Sequence, residues 1–243
     1  MTKRIFTRLP VALASLFTAL TLAACGGGSG GDTSTAQDSS ACFNAGLYRS
    51  GTVITYAYKD VESSAEYRVS AVQRPEGTNP PLAQISDGSL FHKRYYSVEQ
   101  NTLLEHAEAW RYYSIDYAPA LQHPISMQPG NSTTQNFVGN RLDYLGPPVS
   151  TKLDITFTKT YLGREVIQTA LGSFETCKFT TTYTATHQST PIYTTENTIT
   201  EWVSATQQYR GFPLKMEQSS KDASGTVRAS SAEVSRITQF NIQ

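Results

Sequence analysis

Apolar and polar residues alternate with a period of two over most of this chain. In "TKLDITFTK", Leu153, Ile155 and Phe157 fall on one side, and Asp154, Thr156 and Thr158 fall on the other. Successive side chains of a strand point to opposite faces, so the pattern predicts a half-buried β-strand and not a helix. "GTVITYAYKD" and "AEYRVSAV" repeat it, and the polar residues 59–64 between them make the two a hairpin. "SLFHKRYYSV" and "EAWRYYSI" carry the same theme with aromatic residues, and "FETCKFTTTYTATH" sets Phe179, Thr181, Tyr183 and Ala185 on one face. With "IYTTENTITEWVSA", "GFPLKMEQ" and "VRASSAEVSRITQF" added, about ten strands joined by short turns are predicted, an antiparallel meander.

Breaks in the pattern predict the connections. "GTNPP" and "LGPPVS" interrupt it, "LGRE" turns into "EVIQT", and "ALGS" turns into the next strand. Residues 118–130, "APALQHPISMQPG", hold three prolines and are predicted to be a loop. "TLLEHAEAWR" is rich in helix-favouring Leu, Glu and Ala; it is read as a strand or a short helix at a sheet edge. No repeat of fixed period runs through the chain.

The first residues follow another logic. Lys3, Arg4 and Arg8 precede an apolar stretch, residues 11–22, broken only by Ser15, Thr18 and Thr21. That stretch is shorter than the ~20 residues a membrane-spanning helix needs and suits the helical apolar segment of a secretory signal peptide. Leu22-Ala23-Ala24-Cys25 then resembles the bacterial lipobox. The resemblance implies cleavage before Cys25, diacylglycerol on its thiol and an acyl chain on its new amino terminus. One acyl chain anchors marginally and two or more hold firmly. The Gly-, Ser- and Thr-rich residues 26–40 contain no large apolar side chain and read as a flexible tether with a typical span of ~20 Å. Residues 1–24 are thus a signal peptide, 25–40 a lipidated cysteine with its tether, and 41–243 a single antiparallel β domain. Gly26, where enteric bacteria use Asp to retain lipoproteins on the inner membrane, implies the outer membrane by the same resemblance.

Charge adds exclusions. Lys plus Arg and Asp plus Glu are both 20, so the net charge is zero, and no basic block points to nucleic acid. Two cysteines remain, Cys42 at the end of the tether and Cys177 in a predicted strand. An oxidising compartment favours a disulfide between them; two buried free thiols are the alternative.

The search for reactive groups turns up little. There is no G-x-S-x-G elbow, P-loop, H-E-x-x-H or EF-hand loop. His106 and Glu108 of "EHAE" would share a strand face but lack further ligands for a metal. His123 would sit near Ser126 in the proline-rich loop with nothing to orient it. Cys177 has no base beside it, since Lys178 points the other way in a strand. No catalytic residue, metal site or cofactor is therefore assigned. Aromatic residues carry the remaining signal: strand propensity and core packing account for many of the 14 tyrosines. Phe91, Tyr95, Trp110, Tyr112, Phe157, Tyr183, Trp202 and Phe212 could also line a groove. Trp110, Phe157, Trp202 and Phe212 are the residues assigned to ligand contact.

"GSFETCKFT", then Trp202, then "YRGFPLKMEQ", preceded by the hairpin "YLGREVIQTA", resembles envelope proteins with a LolA/LolB/LppX-like or DUF3108-like half-barrel. The resemblance covers residues 160–217. It implies a sheet curled into a half-barrel or open barrel with a concave, often apolar face that in some relatives holds acyl chains. Phe212-Pro213 departs from the Gly expected before the hydrophobic-Lys step, and no ligand residue carries across. A non-catalytic envelope lipoprotein holding a hydrophobic ligand is the function expected. An anchored subunit docking another envelope protein by its sheet face or edge is one alternative, and a hydrolase is the other.

Overall fold

The computed structural model describes residues 37–59, 64–72, 82–87, 92–189 and 191–243; the signal peptide, Cys25, most of the tether and Phe91 lie outside them. Twelve strands follow in chain order: β1 (Val53–Tyr58), β2 (Ala65–Val72), β3 (Leu82–Asp87), β4 (Lys93–Glu99), β5 (Thr102–Ala109), β6 (Tyr113–Pro124), β7 (Ser132–Asp143), β8 (Val149–Thr169), β9 (Gly172–His187), β10 (Tyr193–Ser204), β11 (Pro213–Lys221) and β12 (Val227–Asn241). Each pairs antiparallel with its neighbours in sequence, as the meander predicts. The curl runs further than a half-barrel: β1 pairs with β12, from Val53 opposite Asn241 to Tyr58 opposite Val234, and the sheet closes. Closure satisfies the two rows of backbone groups that an open sheet would leave as edges.

Alternation sorts the side chains. Leu153, Ile155, Phe157 and Tyr161 of β8 point inward and are buried, while Asp154 and Thr156 between them are exposed. The outer wall of β7–β10 is a grid of hydroxyls. Ser132 bonds Thr160 at 2.7 Å, Thr134 bonds Thr158 at 2.9 Å, and Thr186 bonds Thr194 at 3.1 Å. This wall faces water. A barrel that crosses a membrane carries the opposite arrangement, an apolar band outside.

Three bulges depart from the sequence reading. "LGRE" is not a turn: β8 runs through it, and Leu162 is an extra residue opposite β9, with Gly163 at φ +123°. Residues 118–130 are not all loop either. β6 continues to Pro124, and residues 117–120 bulge away from β5, since Glu105 pairs with Leu121 but Ala107 with Asp116. Pro119, which has no N–H to donate, sits in that bulge. β6 pairs with β7 only as far as Ala118; further on, the Gln135 side chain replaces the ladder by bonding both the N–H and the carbonyl of Gln122. The first eight residues of "TLLEHAEAWR" form β5, with His106 as its own extra residue opposite β4.

One end of the barrel is filled by the chain itself. Two 3-10 turns, Ser39–Cys42 and Ala45–Tyr48, cross it before β1 begins. Ser39 accepts the Met127 N–H and donates to the Ile125 carbonyl, and Cys42 is disulfide-bonded to Cys177 of β9. Leu47 packs inside among Ile54, Tyr56, Phe212, Leu214 and Val234. Gly46 allows the close approach; a Cβ there would collide with Ile242 Cγ2. This filled end, the base, also carries the β4–β5, β6–β7, β8–β9 and β10–β11 connections. The other end, the mouth, carries the β5–β6, β7–β8, β9–β10 and β11–β12 connections.

Candidate functional site

Among the described residues, cavities of about 270 and 590 Å³ lie in the barrel interior. The smaller lies against the base and is walled by Phe43, Leu47, Ile85, Leu103, Phe179 and Phe212. The larger reaches the mouth and is lined by Trp110, Tyr113, Tyr117, Phe157, Tyr183 and His187 together with polar groups. Tyr58, Arg94, His123, Lys159, Glu201 and Met216 line both, so a belt carrying the charges of Arg94, Lys159 and Glu201 lies between a chamber at the base and one at the mouth, each lined by aromatic rings.

Alternation places this belt. Lys159 continues the inward row of Leu153, Ile155 and Phe157, and Glu201 lies between inward-facing Ile199 and Val203. The bulge at His106 lets Glu105 and Glu108 both face inward although three positions separate them. His106 therefore points elsewhere, to the Ser97 hydroxyl at 2.9 Å, while Glu108 stands 3.7 Å from His92. The same-face arrangement expected for His106 and Glu108 is not formed.

His123, expected in a loop beside Ser126, is instead an inward residue of β6. Its Nε2 lies 3.1 Å from Glu105 Oε2, and the Tyr96 hydroxyl donates to that oxygen at 3.2 Å. Arg94 donates to the Tyr96 oxygen at 3.2 Å. Ser126 turns away and bonds Asp38. Burial pushes the Glu105 carboxyl up, but the His123 bond, the Arg94 charge and the Tyr96 hydroxyl outweigh it and hold the group below the usual carboxylate value. Burial lowers His123, against the pull of Glu105. At neutral pH the pair is thus a carboxylate and a neutral imidazole whose Nε2–H donates to it. Burial also lowers Lys159, opposed by the Glu201 and Glu105 charges. Its ammonium sits 4.7 Å from the centre of the Phe179 ring.

The residues assigned to ligand contact are not brought into one cleft. Trp110 stands at the mouth, stacked on His92 at 3.7 Å. Phe157 lies midway, its ring edge-on to His123 at 5.3 Å. Phe212 lies at the base against Tyr56, Tyr67 and Phe240. Trp202 lines neither cavity. It is on the outer wall, covered by the Lys178 and Lys215 ammonium groups at 4.9 and 4.4 Å, and its indole N–H donates to Glu165. Of the wider aromatic set, Tyr183 faces inward and Tyr112 is exposed at the mouth. Arg141, unassigned from sequence, also lines the larger cavity; it is held by Asp143 at 2.7 Å and lies 4.2 Å from the Tyr113 ring centre. Cys177, buried and bonded to Cys42, has no free thiol.

No protein-family model matches the chain, and no curated protein matches it in sequence. Among solved structures, it is similar to a protein from Bacteroides fragilis taken to be exported and described as having a YmcC-like fold, at 14% identity and a TM-score of 0.42, covering 79% of this chain and 97% of that one. It is also similar to a protein from Parabacteroides distasonis taken to be a lipoprotein, at 14% identity and a TM-score of 0.33, covering 79% of this chain and 96% of the other.

Proposed function

We propose that this chain is a non-catalytic lipoprotein of the bacterial cell envelope, held at the outer membrane by acyl chains on Cys25, and that its barrel carries an apolar or amphipathic small molecule. One observation carries the reading: a closed, water-facing barrel keeps chambers of about 270 and 590 Å³ in its interior where a barrel built for stability alone would be packed with side chains. Charges drawn into a barrel interior cost stability relative to apolar filling, so half-buried Arg94, Lys159 and Glu201 between the chambers, with buried Glu105 beside them, fit a site that orients a polar group. Docking by a strand edge has less support, because every described strand is paired on both sides. A hydrolase would need a nucleophile at the other ring nitrogen of His123, and among the described residues the hydrogen bond of this imidazole is the one to Glu105, with no Ser, Thr or Cys bonded to it.

The test is displacement of a fluorescent fatty acid from the purified protein. Wild type should bind it at one site, and Ala185→Trp, which fills the larger chamber, should weaken binding at least tenfold without changing secondary structure. Equal binding by both proteins would place the ligand elsewhere.

A further inference from the structure

Apolar side chains at the mouth are exposed on neighbouring loops. Trp110 and Tyr112 stand in the β5–β6 connection, Tyr144 and Leu145 in the β7–β8 connection with Val149 just beyond, and Ile192 in the β9–β10 connection. Leu145 is 76% and Ile192 66% exposed. The loops are contiguous: the Tyr144 N–H donates to the Tyr112 carbonyl at 2.7 Å, and the Gln188 N–H to the Lys152 carbonyl at 2.9 Å. Their sequences, Trp-Arg-Tyr at 110–112, Tyr-Leu-Gly-Pro-Pro at 144–148 and Gln-Ser-Thr-Pro-Ile at 188–192, contain a single charge, Arg111, and no carboxylate. The Arg111 guanidinium lies over the Tyr112 ring at 5.1 Å. Three residues beyond Val149 along β8 the wall turns polar, at Lys152, Asp154 and Thr156.

We infer that this arc is a membrane-docking edge that seats on the phospholipid bilayer holding the protein's own anchor. The inference rests on the lipoprotein reading of Cys25. Trp and Tyr mixed with aliphatic residues, on separate loop tips above a polar wall, match the depth profile of a bilayer interface, where amphipathic rings sit at headgroup level. One arginine and no carboxylate suit zwitterionic or anionic headgroups. Chain reach permits the contact. The described chain starts at the base, where the Tyr161 hydroxyl donates to the Gln37 carbonyl, at the end opposite the arc. The 16 residues of β9 imply roughly 40 Å between base and mouth at a usual tilt. Eleven residues lie between Cys25 and Gln37, and the twelve steps along the chain reach about 40 Å when extended. The barrel can therefore lie along the membrane with its anchor at one end and its arc at the other. Tethering supplies an effective concentration in the millimolar range, so a weak interfacial affinity suffices and selects the anchor's own membrane. With the arc seated, the rim of the mouth rests on the bilayer and the larger chamber opens beside the membrane surface.

The two tryptophans report on opposite ends of the barrel, Trp110 at the mouth and Trp202 near the base. The acylated full-length protein is reconstituted into phosphatidylcholine–phosphatidylglycerol vesicles with and without brominated acyl chains. Flotation is read first, then fluorescence in wild type, Trp202→Phe and Trp110→Phe. The expected result is co-flotation, loss of about half of the Trp110 emission with brominated lipid, and no change for Trp202. Leu145→Asp combined with Ile192→Asp, both exposed positions, should restore the emission while the protein still floats. Flotation without Trp110 quenching overturns the docking edge and leaves the anchor standing. Quenching of Trp202 alone does the same and puts the base on the membrane. Failure to float overturns the anchor; excess brominated vesicles added to that protein then judge the arc, and no quenching overturns it too. A Trp110 shift produced by solubilised envelope proteins but not by lipid reassigns the arc to a protein partner and overturns the proposal.

Discussion

His123 shows how burial and a single partner set the state of a residue. The unfolded imidazole titrates near 6.5, and in the barrel burial holds the group below that value. A lowered histidine contributes stability that is present in full above 6.5 and is lost as pH falls toward and through the folded-state value, because the unfolded chain binds the proton more readily. His187 is lowered in the same sense, by burial and the nearby Arg141. Glu105 adds a second window, present above about 4.5 and lost as pH falls through its own depressed value. Urea titrations should therefore show stability falling from pH 7 toward pH 5. His123→Gln, which keeps a donor for Glu105, should flatten part of that slope and leave the His187 share. An unchanged slope would contradict the assignment. Trp202 makes a complementary case. Removing a large ring that is 5% exposed and bonded to Glu165 should cost roughly 3 kcal/mol of unfolding free energy and leave fatty-acid binding intact. Lost binding at undiminished stability would place the ring in the site. The sequence holds the cue to its position: Trp202 shares strand parity with Thr198 and Thr200, not with Ile199 and Val203, and parity outweighs ring size.

At the level of elements, the alternating rows of β8 and β9 were readable because a long strand between a core and water has to alternate. The bulges were not. An extra residue such as Leu162 or His106 shows only against the partner strand, and it inverts every later side chain, which is why Glu108 faces inward and Arg164 turns toward Asp38. Proline misleads for the same reason: Pro119 breaks a ladder only where a ladder is required, and β6 has left β7 by that point. The charged belt was invisible as a motif, since Glu105 and His123 meet across a strand pair 18 positions apart in sequence. The base depends on the bond from Cys42 to Cys177, which spans 135 positions. Loop-closure entropy sets an upper figure of about 5 kcal/mol for such a link, and Cys177→Ser should lower stability by roughly 2–5 kcal/mol. Thiol titration should find no free cysteine among these two before reduction. Two fast-reacting thiols in the folded protein would remove the bond.

The barrel joins a filled base, a belt of charge and two chambers lined by aromatic rings, the larger leading to the mouth. The outer wall is a grid of exposed hydroxyls, and the proposed lipid on Cys25 would hold the barrel at a membrane. The central claim is that the interior holds a passenger, and native mass spectrometry of the acylated protein purified from its own membranes tests it most directly. The account predicts a population heavier than the covalent mass by one small apolar molecule per barrel, released on collisional activation, recovered by organic extraction and absent from Ala185→Trp. A spectrum showing only the covalent mass, with no adduct after incubation with dodecanoate, dodecanol or lysophospholipid, would contradict it.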